Sequence, residues 1–176
     1  MTMPDGLTAE IVNYEDFSRM IQDYKNVFGS ARVPFAAVLD YWQKWNFENI
    51  YRGGDTSDTA EGMTAGRYED LSESYKDFKE DLVGFIYPVL RLHGVLMESI
   101  TGSSSRFAII EISDDELLMG TNAESLEGAP YALYLQKGTR KMPARPPIIK
   151  TPDQLDALAR IFFETAKRQF SNIQKS

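Results

Sequence analysis

Residues Arg106–Thr121 read RFAIIEISDDELLMGT, and this stretch decides the fold. RFAIIEI (106–112) and ELLMGT (116–121) carry β-favouring residues, while Ser113, Asp114 and Asp115 between them form a polar turn. Two β-rich runs around such a turn predict a hairpin. Further along the chain, YALYLQ (Tyr131–Gln136) is a third strand candidate, and Leu7–Val12 a short first strand.

Around this sheet the apolar spacing turns helical. Asn13 stands as an N-cap before Tyr14, Phe17, Met20, Ile21, Tyr24, Val27 and Phe28, which share one face, and Gly29 supplies the stop. Pro34 suits the first turn of a second helix, whose positions Phe35, Val38, Leu39, Trp42, Trp45 and Ile50 are crowded enough to predict burial on more than one side, with Gly53 and Gly54 as its end. A third helix starts near Ser72 or Ser74 and lines up Tyr75, Phe78, Leu82, Phe85 and Ile86 until Pro88 kinks or ends it. Val89–Ile100 resumes as a short helical piece broken at Gly94. At the other end, Thr151, Pro152 and Gln154 give an N-cap, a first-turn proline and a capping-box acceptor ahead of Leu155, Leu158, Ile161, Phe162, Ala166 and Phe170. Helices, then a small sheet, then a helix predict an α+β fold: a small antiparallel sheet packed with several helices and closed by a C-terminal helix.

At 176 residues and 43% hydrophobic, the chain suits a single domain over 1–176 with a real core. The polar, acidic segment 53–67 (GGDTSDTAEGMTAGR) has little to pack and is expected to be a mobile loop that orders on assembly. No apolar run is long enough to span a membrane and the N-terminus lacks the regions of a signal peptide, so the chain is expected in the cytosol. Without cysteine there is no disulfide framework and no thiolate ligand or nucleophile.

The net charge of -7 opposes a general nucleic-acid binder, because phosphate affinity comes largely from Lys and Arg. That charge is unevenly laid out. Six acids and no base fall between Arg106 and Lys137 (Glu111, Asp114, Asp115, Glu116, Glu124, Glu127), and the stretch Lys137–Lys150 then carries five bases and no acid (Lys137, Arg140, Lys141, Arg145, Lys150). With φ fixed at Pro143, Pro146 and Pro147, the segment 137–150 is expected to be a semi-rigid projecting arm. In a ring of identical subunits, Lys137, Arg140, Lys141, Met142 and Arg145 of one subunit would face Glu111, Asp114, Asp115 and Glu116 of the next.

Motifs that carry chemistry are missing: no phosphate loop, dinucleotide fingerprint, nucleophile elbow or paired-histidine metal motif occurs. His93 is the sole histidine and is read as structural. Glu111, Asp114, Asp115 and Glu116 lack calcium-loop spacing and read as a solvated turn. Trp42, Trp45 and Phe47, at helical spacing, read as core or subunit interface rather than as a platform for bases or sugars. No catalytic, cofactor-binding or metal residue is assigned, and no enzyme activity is expected.

Three stretches resemble the phage virion morphogenesis family, whose members are also described as tail completion proteins. YEDLSESYKDFK (Tyr68–Lys79) is similar to the family's Leu-Ser pair ahead of a helix with an aromatic and a Lys. LRLHGVLMESIT (Leu90–Thr101) resembles its Leu, Gly, Leu and Ser-Ile pattern, and YALYLQKGTRKMPARPPI (Tyr131–Ile148) its Tyr-Ala strand, Gln and Gly, then Met-Pro-Ala-Arg-Pro. The resemblance implies a non-enzymatic protein of the virion neck, assembled in the host cytoplasm, that completes or terminates the tail tube and joins it to the head. It further implies a homo-oligomeric ring, by analogy hexameric, bound to other neck and tail tube proteins, with at most incidental contact with exiting DNA and none with membrane. A head-side stopper or adaptor, and an interaction module outside any virion, are the alternatives.

Overall fold

A computed structural model describes residues 14–52, 68–125, 127–148 and 152–173. They form an α+β fold with one two-stranded antiparallel sheet and six α-helices. In chain order these are α1 (Tyr14–Phe28), α2 (Arg32–Asn46) continued by a π-helical turn (Phe47–Tyr51), α3 (Glu73–Val83), α4 (Val95–Thr101), β1 (Ala108–Ile112), β2 (Leu117–Thr121), α5 (Tyr131–Lys137) and α6 (Pro152–Ile173). The expected strand at Leu7–Val12, the caps at Asn13 and Thr151, and the 53–67 loop lie outside the described residues.

Where a single domain over 1–176 is the expectation, contacts sort the chain into two compact units interleaved in sequence. The first takes the described residues of Met1–Val38, Ile112–Glu116 and Lys150–Ser176; the second takes those of Leu39–Glu111 and Leu117–Ile149. Aromatic rings build the core of the first. Tyr24 and Phe28 stack at 4.5 Å, Phe28 meets Phe170 edge-on at 4.6 Å, and Phe35 meets Phe162 at 5.2 Å. Ala157 and Ala166 are the small buried residues of α6 that leave room for those rings. Gly29 closes α1 by donating its N–H to Lys25 O at 2.7 Å.

The hairpin tip also belongs to this unit. Ser113 N–H donates to Glu116 O at 2.9 Å, and Ser113 Oγ accepts from Glu116 N–H at 3.0 Å, so Ser113 closes the turn with both main chain and side chain.

In the second unit the core consists of residues such as Ile50, Tyr51, Tyr68, Leu71, Leu90, Leu96 and Ile100. Helix α4 lies against β2, where the Ser99 and Thr121 hydroxyls are 2.7 Å apart. The buried positions of α2 are Pro34, Phe35, Val38, Leu39, Trp42 and Asn46, with Trp45 half-buried.

Two expectations are corrected in this unit. YALYLQ is not a third strand but the body of α5: Pro130 precedes its first turn, Ala, Leu and Gln favour helix, and the run lacks the alternation that would hold it in a sheet. Helix α3 ends at Val83, ahead of Pro88, because Gly84 takes a left-handed conformation (φ 76°) while its N–H donates to Glu80 O at 2.8 Å. Phe85 and Ile86 therefore leave the helix.

The orientation of α3 is also the reverse of its amphipathic reading. Tyr75, Phe78 and Leu82 are 40%, 50% and 48% exposed, whereas Lys79 is 1% exposed. Past Gly84 the chain brings main-chain carbonyls over the Lys79 side of the helix. Its ammonium donates to Ile86 O at 2.5 Å, Pro88 O at 2.7 Å and Val89 O at 3.3 Å. Carbonyls buried there require a donor, and an apolar side chain has none.

Candidate functional site

The acidic turn and the basic segment define the surface expected from the sequence to engage partners, and they differ in kind. Asp114 and Asp115 sit at the hairpin tip within the first unit. Asp114 accepts hydrogen bonds from Ser30 Oγ at 2.8 Å and from Arg32 Nε at 2.9 Å, and its main-chain carbonyl accepts the Ala31 N–H at 2.9 Å. Lys25, in the last turn of α1, donates to Asp115 at 3.1 Å. The Ser30 and Arg32 hydrogen bonds hold the Asp114 carboxyl below the usual range; the Lys25 ammonium, then Ser113, does the same for Asp115. These two carboxylates are thus engaged by their own chain at the junction of α1 and α2. Both carboxylates stay more than half exposed, so a neighbouring subunit's cations would share them with Lys25 and Arg32. Glu111 and Glu116 are exposed beside them. Among the described residues no group of acids or histidines is placed to hold a metal ion.

The basic segment is anchored rather than projecting over its described part, 137–148. Lys137 ends α5, and Gly138 turns the chain with φ 73°. A Cβ at Gly138 would lie 2.8 Å from Ala144 N and 3.2 Å from Met142 O, so the backbone approach there admits only glycine. Thr139 N–H then donates to Met142 O at 2.8 Å, closing a tight turn with Arg140 and Lys141 at its exposed tip.

Beyond the tip the chain is fastened at several points. Arg145 N–H donates to Leu135 O at 2.7 Å, and the Gln136 side chain both donates to Ile148 O (3.2 Å) and accepts from Ile148 N–H (3.3 Å). Tyr68 OH donates to Pro146 O at 2.5 Å, and Pro147 is fully buried.

Arg145 is the residue that departs furthest from expectation. It is 6% exposed, with Nε donating to Glu69 O and Nη2 to Asp70 O, both at 2.9 Å. The planar guanidinium suits two carbonyls presented side by side. Arg145 is therefore removed from the set of contact residues, and Met142 is half-buried. Lys137, Arg140 and Lys141 remain exposed, and none pairs with an acid among the described residues.

Of the aromatics considered as a platform, Trp42 is 4% exposed and belongs to the core, Trp45 is half-buried, and Phe47 is 40% exposed. His93 lies at the surface. Two features escape a sequence reading: the outward stripe of α3, and the buried Lys79, whose amine burial pushes down to about 8. A lysine between Phe78 and Leu82 is the signal that could have pointed to the second. No family model, curated protein or solved structure matches this chain.

Proposed function

We propose that the protein is a non-enzymatic structural component of the bacteriophage neck, which completes the tail tube and joins it to the head as an oligomeric ring. The reading rests on the resemblance of three stretches, and one observation supports it most. Two of those stretches, Tyr68–Lys79 and Tyr131–Ile148, are hydrogen-bonded to each other through Arg145 and Tyr68, and together they hold a rigid turn that exposes Lys137, Arg140 and Lys141. Residues far apart in sequence fix a cationic tip in one geometry, as a docking element requires. Such a tip suits an acidic surface on a neighbouring neck or tail tube protein. A net charge of -7 over the chain disfavours retention of exiting DNA, so contact with DNA is incidental.

Cryo-electron microscopy of intact particles tests this. The expected result is a ring of this chain between the portal and the tail tube, with the 137–141 turn at a protein contact. Density on the head side alone would make the protein a stopper, and its absence from the necks of complete particles would remove the virion role. Lys137→Glu, Arg140→Glu and Lys141→Glu together are expected to leave the fold intact and heads and tails unjoined.

A further inference from the structure

Helix α3 exposes Tyr75, Phe78 and Leu82 on one row, and helix α6 exposes Phe163 (53%) and Phe170 (39%) on another. In each case the outer residues of the row are two helical turns apart, so the rows match in length. Between α1 and α6 lies a groove of about 530 Å³, whose lining includes Tyr24, Phe163, Ala166 and Phe170 with the charged Arg19, Asp23 and Lys167. Ala166 is small and lies at the floor of the groove between the two phenylalanines.

Charge separates the two rows. On α6, Arg160 and Lys167 lie beside the phenylalanine row, and the nearby Glu164 is turned to Arg168. On α3, Asp77 and Asp81 run along the helix next to Phe78 and Leu82, while both lysines of the helix are engaged: Lys79 points inward, and Lys76 is held by Asp70 at 2.7 Å and Glu73 at 2.8 Å. An acidic apolar helix face and an apolar groove whose charges, Arg19 and Lys167 against Asp23, leave a net positive balance occur in the same chain, so the partner whose chemistry fits each is a second copy.

We propose that α3 of one copy docks in the α1–α6 groove of another, Phe78 entering between Phe163 and Phe170 over Ala166, with Asp77 and Asp81 facing Arg160 and Lys167. The arrangement is a helix laid in a groove with a central aromatic anchor. Because the two surfaces differ, the contact is head-to-tail and propagates into a ring or a filament. It deepens the ring reading above, on which its biological setting rests, by naming the interface.

The chain lacks cysteine, so engineered cysteines report cleanly. Chains carrying Asp81→Cys and chains carrying Lys167→Cys are mixed and oxidised, and a disulfide between the two kinds of chain is expected, lost when Phe78→Asp is added. Homodisulfides alone, no cross-link, or a doubly substituted chain that closes on itself at high dilution would overturn the proposal. In sedimentation velocity the unmodified chain is expected to associate with a Kd roughly in the micromolar range. Phe78→Asp is expected to weaken this about tenfold or more. A unmodified chain that stays monomeric throughout refutes the contact.

Should Phe78→Asp fail to fold, Asp81→Lys and Lys167→Glu each weaken association and together restore it; a pair that stays as weak as the singles also refutes the contact. The neck reading fails separately. Particles with a ring whose interfaces exclude α3 remove this contact and keep the neck role. Particles without the ring, together with cross-linked copies in solution, do the reverse.

Discussion

Replacing Lys79 with Met tests the least expected interaction in the molecule. The substitution keeps the length of the side chain and deletes the ammonium that donates to Ile86 O, Pro88 O and Val89 O. A hydrogen bond to a charged group contributes about 1.5–3 kcal/mol, and the long contact to Val89 less, so roughly 5 kcal/mol of bonding is lost. That figure is already net of taking the cation out of water, the burial that, with Arg91, lowers its pKa to about 8. Lys79→Met is therefore expected to lose roughly 5 kcal/mol near pH 7.

The pH dependence gives the sharper test. Since the folded pKa lies below the unfolded one, the unfolded chain binds more protons between pH 8 and 10.5, and the stability of the unsubstituted protein rises across that window. Below pH 8 both states are protonated and the cost is constant. Urea unfolding of the two proteins at matched pH cancels other titrations, and the gap between them is expected to widen by at most about 3 kcal/mol from pH 8 to 10.5. A gap that stays flat or narrows refutes the burial argument. A Lys79→Met protein as stable as the original at pH 7 refutes the role of the three carbonyls.

Three further outcomes are expected. Gly138→Ala forces a Cβ to within 2.8 Å of Ala144 N at φ 73° and should lose about 2–3 kcal/mol or more in thermal unfolding, whereas Gly84→Ala, which meets nothing within 4 Å, should lose only about 1–2 kcal/mol. Arg145→Lys replaces a planar fork matched to two side-by-side carbonyls with a shorter-reaching, strongly hydrated ammonium and should lose about 2 kcal/mol in urea unfolding, while Lys141→Ala, at the exposed tip, should stay within about 0.5 kcal/mol. Asp114 and Asp115 have lowered pKa values, so their contribution is present above the ordinary carboxylate range and lost as pH falls through the folded values; Asp114→Asn and Asp115→Asn should each flatten the acid limb of stability against pH.

Parts of the structure that depend on neighbours in sequence were legible. Ser113 and Asp115 close a hairpin between residues that favour strands, and α6 begins at its proline and keeps its apolar row to Phe170. Parts that depend on distant residues were not. Tyr131–Gln136 has apolar residues without a period; it is a helix bounded by Pro130 and Gly138, against which Arg145 N–H donates to Leu135 O. For α3 the spacing correctly showed an apolar row but carried no sign for which side faces inward; carbonyls of residues 86–89 decide that. The candidate site was legible to the same extent. Lys137, Arg140 and Lys141 are exposed as their charge suggests, while Arg145, Asp114 and Asp115 are taken up by groups many residues away.

The interleaving of the two units also bears on how the chain is made. The first unit unites α1 and the start of α2 with α6, so its ring contacts, Phe35 on Phe162 and Phe28 on Phe170, join residues far apart in sequence. During synthesis that core lacks its second half until α6 has been made, and closing so long a loop is slow. A chain cut just before α6 would leave the aromatic side chains of α1 and α2 uncovered, so the first unit forms only once α6 is present.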